Sequence, residues 1–143
     1  MNHVAIMRKS WGLLPKILSG EKTIESRWYK NKSAPWGKIK AGDTVYFKNS
    51  GELVSVRVRV RKVLEFENLT LKKVREILDK YGKEIGMKNI EASYELYKNK
   101  RYCILVFLGR SLMVDPFRID KTGFGMEAAW ICVENIKSIL HTN

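Results

Sequence analysis

Cysteine is scarce in this chain, and so is histidine: two of each occur among 143 residues. Cys103 and Cys132 make no disulfide framework; they sit in apolar runs and read as buried thiols. With His3 and His141 they are scattered without paired spacing, which argues against a structural zinc site and against a Ser-His-Asp or Cys-His centre. No run approaches the ~18 consecutive apolar residues of a membrane helix. There is no G-x-x-x-x-G-K-[ST] loop, and the lone G-x-G at Gly123–Gly125 lacks a strand–helix setting. Repeats and low-complexity runs are missing too, so residues 1–143 read as one domain. The opening MNHVAIMRKSWGLL places Arg8 and Lys9 where a signal peptide needs its apolar stretch. The expectation is a soluble, cytoplasmic protein with no membrane partner, metal or cofactor.

Acid is also short. Asp plus Glu number 15 against 27 Lys plus Arg, a net charge of +12 and a pI near 9.8. Such an excess concentrates polyanions around a protein and steers them in, so nucleic acid is the expected partner. The alternative is a lysine-rich surface that serves solubility or ion-pair networks.

Hydrophobic periodicity gives the elements. Residues 2–7 fit a short strand. Ser10 is the expected N-cap of a helix carrying Leu13, Leu14, Ile17 and Leu18, closed by Gly20. Residues 22–29 follow as a strand and 31–40 as a basic loop, then residues 44–48 and a turn at Asn49-Ser50-Gly51. Val54, Val56, Val58 and Val60 alternate with Ser55, Arg57, Arg59 and Arg61, a strand with one buried and one basic face. A helix over 71–80 with a stripe of Leu71, Val74, Ile77 and Leu78 precedes a turn at Gly82 and Gly86. A second helix spans 90–98. Residues 102–108 are a buried strand, 111–119 a separate extended stretch broken by Pro116, and 120–127 a loop. Residues 130–133 form a last strand and 133–140 a short helix. Hairpins outnumber crossovers, so the fold class is α+β: a small mixed or antiparallel β-barrel with two to four helices packed outside.

Chemistry gathers in Gly20-Glu21-Lys22-Thr23-Ile24-Glu25-Ser26-Arg27. Period two puts Thr23, Glu25 and Arg27 on one strand face, with Lys22 opposite unless it still belongs to the turn. A Lys–Glu–Arg cluster can hold a phosphate or the edge of a base. The lysine acts as a point charge and the arginine as a planar fork, while the glutamate orients both or accepts from a base amino group. Spacing alone allows equally a surface ion pair worth ~0–1 kcal/mol.

This segment resembles the signature of the ASCH domain (ASC-1 homology), a family of the PUA-like superfamily, which runs G-x-K-x-x-E-x-R after a short helix. A G-D followed by a strand comes later in the family, matched by Ile39-Lys40-Ala41-Gly42-Asp43-Thr44-Val45. The match covers roughly residues 4–108, with 109–143 as an extension of the same domain. The resemblance implies a PUA-like barrel that binds RNA or another nucleic acid at a cleft lined by Lys22, Glu25 and Arg27, with Lys16 at its rim. One enzymatic branch, the bacterial N4-acetylcytidine amidohydrolases, is similar at G-x-K-T-I-x-x-R. It is described as using a lysine, a threonine three residues later and a distant glutamate. Here Lys22 matches the lysine, Glu25 stands at the nucleophile's position, Thr23 matches a different threonine, and Glu65 or Glu67 are the candidates for the glutamate. A carboxylate in place of the hydroxyl removes the acyl acceptor. The expectation is therefore an RNA-binding module without catalysis. The alternative is a hydrolase of a modified nucleoside or of RNA, with Lys22 and Glu25 as its catalytic groups, and a third reading is a protein-interaction domain.

Around this centre the sequence offers Trp11, Trp28, Tyr29 and Trp36 interleaved with lysines, where bases stack for ~1–3 kcal/mol each. Trp28 and Trp11 are equally suited to the core, and Trp36 in its Pro-Gly loop is the expected exposed stacker. Lys48, and Lys121 with Phe124 in the Lys121–Met126 loop, complete the candidate nucleic-acid-binding set. The row Arg57–Arg59–Arg61 spans about 13 Å. It suits successive phosphates, and equally an ordinary solvated face.

Overall fold

Alternating valines shape the middle of the molecule: Val54, Val56, Val58 and Val60 are buried, while Arg57, Arg59 and Arg61 point to solvent. The computed structural model describes residues 1–125 and 127–141. Its elements are β1 (Asn2–Met7), α1 (Leu13–Ser19), β2 (Ile24–Tyr29), β3 (Thr44–Asn49), β4 (Val54–Phe66), α2 (Leu71–Ile85), α3 (Ile90–Tyr97), β5 (Tyr102–Phe117) and β6 (Trp130–Val133). Single 3-10 turns flank them at Lys9–Trp11 and Ile136–Ile139. The strands form one mixed sheet in the order β2-β5-β4-β3-β1-β6, parallel only between β1 and β3, and curled into a half-barrel.

Strand alternation assigns each face its own core. Ile104, Val106 and Leu108 of β5 join Ala5, Val45, Phe47, Val58 and Trp130 inside the half-barrel. Cys103 and Leu105, one step out of phase, pack with Ile24 and Trp28 against Val74, Ile77 and Leu78 of α2. A third cluster, with Val4, Val54 and Ile131, is covered by Ile136 and Ile139. Among the described residues no helix is long and apolar enough to cross a membrane.

Several local expectations change. Ser10 lies inside a 3-10 turn, and Gly12, with φ +60°, is the residue that starts α1. Leu71 is exposed, so the apolar stripe of α2 begins at Val74. Gly82 is no turn: α2 runs through it to Ile85, because a Cβ there would collide with Ile90 and its absence lets α3 pack close. Only Gly86, with φ +90°, ends the helix. Residues 102–117 make one strand rather than two stretches, with register shifts opposite β4 and Pro116 near its end. In place of a last helix there is the turn at Ile136–Ile139. The strand β5 runs straight through residue 108 and β6 pairs with β1, so the segment beyond the motif match belongs to the same sheet.

Candidate functional site

Gly20 stops α1 in the left-handed conformation, and the chain turns through Glu21 and Lys22 before β2 begins at Ile24. Lys22 therefore belongs to the turn and is freed from strand alternation, so it can meet Glu25. Its ammonium lies 2.8 Å from the Ile24 carbonyl, 2.6 Å from the Ile85 carbonyl and 3.2 Å from Glu25 Oε1. Those three acceptors match the three hydrogens of a lysine ammonium. The residue is 2% exposed. Burial pulls its pKa down, the Glu25 carboxylate opposes that pull, and the net direction is down.

Glu25 is 3% exposed and faces the half-barrel interior. Its Oε1 also accepts from the Ser26 amide at 3.2 Å, and Oε2 accepts from Arg27 Nη2 at 3.0 Å. Burial alone would raise its pKa, but Lys22 and Arg27 outweigh burial and hold the carboxyl below its ordinary range. The Arg27 guanidinium then crosses the open side of the half-barrel. It donates to the Ala129 carbonyl at 3.3 Å and the Ile6 carbonyl at 3.4 Å, and lies 5.1 Å from the Trp130 ring centroid.

Trp130 is itself fixed. Its indole N–H donates to His3 Nδ1 at 3.0 Å, so the proton of the neutral imidazole sits on Nε2 and donates to Asp43 Oδ2 at 2.9 Å. Asp43 also accepts from the Lys40 amide and the N-terminal ammonium. Burial lowers the pKa of His3. Asp43 is the aspartate of the Gly42-Asp43 motif, so the two sequence motifs meet through His3 and Trp130 above Arg27.

A cleft opens over this cluster in two lobes, which share Trp11, Leu13, Glu25, Ser26 and Tyr97. The lobe toward α3, about 370 Å³, adds Lys16, Met87, Lys88 and Leu96. The lobe toward the sheet edges, about 320 Å³, adds Arg8, Arg27, Tyr29 and Ala129. Trp11, 46% exposed, stands between them with the Arg8 guanidinium 5.3 Å from its ring centroid. Tyr97 stacks on Trp28 at 4.8 Å, and burial raises its pKa. Of four carboxylate lone pairs on Glu25, three are used, while Arg27 donates to Glu25, Ala129, Ile6 and Met7 Sδ and also meets the Tyr29 hydroxyl. The floor thus offers one carboxylate acceptor beside the Arg27 guanidinium.

The predicted residues divide. Lys16, Lys22, Glu25 and Arg27 come together. Thr23 does not face them: its amide donates to the Glu84 carbonyl, and it borders a separate hollow beside Leu108 and Arg110. Trp28 is buried, touching the cleft as a wall, with its N–H on Ser26 Oγ. Trp36 is half-buried with its ring edge-on to Tyr102, not the expected exposed stacker; Trp11 has that exposure instead. Lys48 lies outside the cleft beside Arg118 and Lys121, where burial and the two like charges lower its pKa. Phe124 lies outside it too, and Met126 of the same loop falls outside the described residues. Glu65 accepts from the Gly37 amide and Glu67 lies near Lys32, so neither candidate for the distant glutamate lines the cleft.

The sequence does not mark His3, Trp130 and Tyr97 as site residues, and it offers Asp43 only within the Gly42-Asp43 motif. His3 reads there as one of four scattered metal-ligand types without paired spacing. Its place on a strand facing the G-D turn was the only signal available.

No family model matches the chain, and no curated protein does. Its fold is nevertheless shared. An ASCH protein of Zymomonas mobilis superposes with a TM-score of 0.67 at 14% identity, covering 96% of this chain and 90% of that one. A single-substitution variant of that protein gives a TM-score of 0.68 at 15% identity, covering 96% and 91%. A protein of Enterococcus faecalis aligns at a TM-score of 0.51 and 16% identity, covering 82% of each chain. The fold is that of these ASCH proteins, an α+β half-barrel.

Proposed function

We propose that the protein binds single-stranded RNA by seating one unpaired base in the two-lobed cleft, without catalysing a reaction. The observation that carries this reading is the buried Lys22–Glu25–Arg27 cluster beneath apolar walls, which leaves one carboxylate acceptor beside the Arg27 guanidinium at the floor. A base that presents an amino group beside a carbonyl or ring nitrogen complements that pattern. The exposed Trp11 ring offers its face for stacking, and Arg8, Lys16 and Lys88 at the rim suit the flanking phosphates. The net charge of +12 favours the same partner.

The geometry disfavours hydrolysis. The Lys22 nitrogen is enclosed by three protein acceptors within 3.2 Å, so it is turned toward them rather than toward a bound substrate. Glu25 is held as a poorly basic carboxylate by two cations. The test is fluorescence anisotropy with labelled cytidine, adenosine and uridine oligonucleotides. Cytidine or adenosine should bind more tightly than uridine, and Glu25→Gln should erase the preference while the RNA stays intact. Equal affinity for all three in parent and variant would overturn the reading, and so would cleavage of the oligonucleotide by the pure protein.

A further inference from the structure

A second basic surface lies outside the cleft. Arg57, Arg59 and Arg61 of β4 and Arg110 of β5 line one trough of about 540 Å³ on the outer face of the sheet, bordered by Thr44 and Leu112. All four arginines are exposed, no carboxylate lines the trough, and among the described residues none of them forms an ion pair. Elsewhere on the surface cations do find acid: Lys9, Arg75 and Lys98 each have a glutamate within 2.9 Å. Four like charges gathered without a counter-charge raise the local potential and attract a polyanion.

The backbone helps to build the trough. Register shifts on either side of Val60 coil the two strands there. Gly109 lies under the arginines, and a Cβ on it would stand 2.9 Å from the Arg59 carbonyl and 3.4 Å from Arg61 Cγ. The trough also has a direction. Arg110 and Gly109 border the adjoining hollow as well, whose other walls include Gly20, Lys22 and Thr23, directly behind the cleft. Cleft, hollow and trough therefore make one band across the molecule.

We infer that this trough is a phosphodiester-backbone site, in which Arg57, Arg59, Arg61 and Arg110 hold successive phosphates of a single-stranded nucleic acid. Alternate residues of a strand are ~6.6–6.8 Å apart, comparable to the separation of successive phosphates along an extended chain. Each guanidinium can fork onto one phosphate. The site carries no base recognition, because it presents charge to the backbone and no enclosed donor–acceptor floor. It deepens the RNA-binding reading by giving the strand a path beyond the seated base.

The test measures affinity for a labelled 15-nucleotide cytidine oligonucleotide across a salt series, in the parent, in Arg59→Ala/Arg61→Ala/Arg110→Ala and in Trp11→Ala. The slope of log K against log salt should be shallower by about two in the triple variant, at ~0.7 per phosphate released. Trp11→Ala should weaken binding with the slope unchanged. The altered arginines are exposed, and a thermal melt that matches the parent's confirms the variant's fold. A triple variant with the parent's slope and affinity overturns the trough and leaves the cleft standing. Arginine-dependent capture of phosphatidylserine vesicles with no loss of RNA affinity overturns it in favour of a membrane surface. Failure of the parent to bind any oligonucleotide at low salt overturns both readings.

Discussion

The Lys22 ammonium lies 2.6 Å from the carbonyl oxygen of Ile85, the last residue of α2. The next residue of the turn repeats the contact, since the Thr23 amide donates to the Glu84 carbonyl at 2.8 Å. A helix leaves its final carbonyls without intrahelical partners and gathers partial negative charge there. The segment that leads into β2 thus closes α2, and the same ammonium fixes the Glu25 carboxylate on its other side. Lys22 acts on the cleft through Glu25, as a positioning residue.

Lys22→Ala should therefore cost stability first. The change leaves Glu25 buried with only Arg27 as its counter-ion and strips the Ile85 carbonyl of its donor. Breaking a buried pair from one side costs about 3–5 kcal/mol. Glu25→Gln leaves the Lys22 ammonium its two carbonyl partners but no counter-ion, so it should cost a comparable ~3–5 kcal/mol. Urea denaturation of the two variants would check both losses, and a fully stable Lys22→Ala would show the ammonium to be dispensable.

Acid should weaken the fold through His3. Its Nδ1 accepts from Trp130, its Nε2 donates to Asp43, and burial holds its pKa below the ordinary 6.5. An unfolded chain takes up a proton near pH 6.5 while the folded chain does not, so stability is highest above that pH and declines as pH falls toward the folded-state value. Asp43 attracts the proton and the N-terminal ammonium opposes it, and the Asp43 carboxyl stays ionised across the window because its own pKa is lowered. Denaturation midpoints between pH 7.5 and 5.5 should fall in the parent and stay flat in His3→Gln. A parent midpoint independent of pH would refute the neutral buried imidazole.

What was readable in the sequence follows the range of each interaction. The Val54–Val60 strand, the glycine stop at Gly20 and the meeting of Glu25 with Arg27 depend on neighbours a few residues apart, and periodicity exposes them. The Ile85 partner of Lys22 is 63 residues away, and the Trp130 partner of His3 is 127 away. Nothing local marks either one. Thr23 misled because strand alternation was extended one residue too far into the turn. The long strand β5 was expected as two stretches, 102–108 and 111–119, whereas it runs on through Gly109, which admits the Arg59 carbonyl.

Gly109 supplies a further prediction. Gly109→Ala would place a methyl 2.9 Å from a backbone oxygen that belongs to the neighbouring strand and cannot rotate away. Overpacking of this kind costs ~1–3 kcal/mol. The sheet should respond by spreading at the register shift beside Val60, where amide exchange would accelerate ahead of the rest of β4. Unchanged protection at Val58 to Arg61 would count against the close approach.

The two loop tryptophans should part company. Trp11 is 46% exposed at the junction of the two lobes, so Trp11→Ala removes little packing and should shift stability by no more than ~0.5 kcal/mol. If a base stacks there, the same change removes ~1–3 kcal/mol of binding, about 5- to 150-fold in affinity. Trp36 packs its edge on Tyr102 against the core and lines neither lobe. Trp36→Ala should cost ~1–3 kcal/mol of stability and leave the RNA affinity of the folded protein unchanged. The pair separates packing from recognition within one chain, by thermal melts beside anisotropy titrations. A Trp36→Ala variant that folds as well as the parent and binds RNA more weakly would move the stacking platform from the 3-10 turn before α1 to the basic loop.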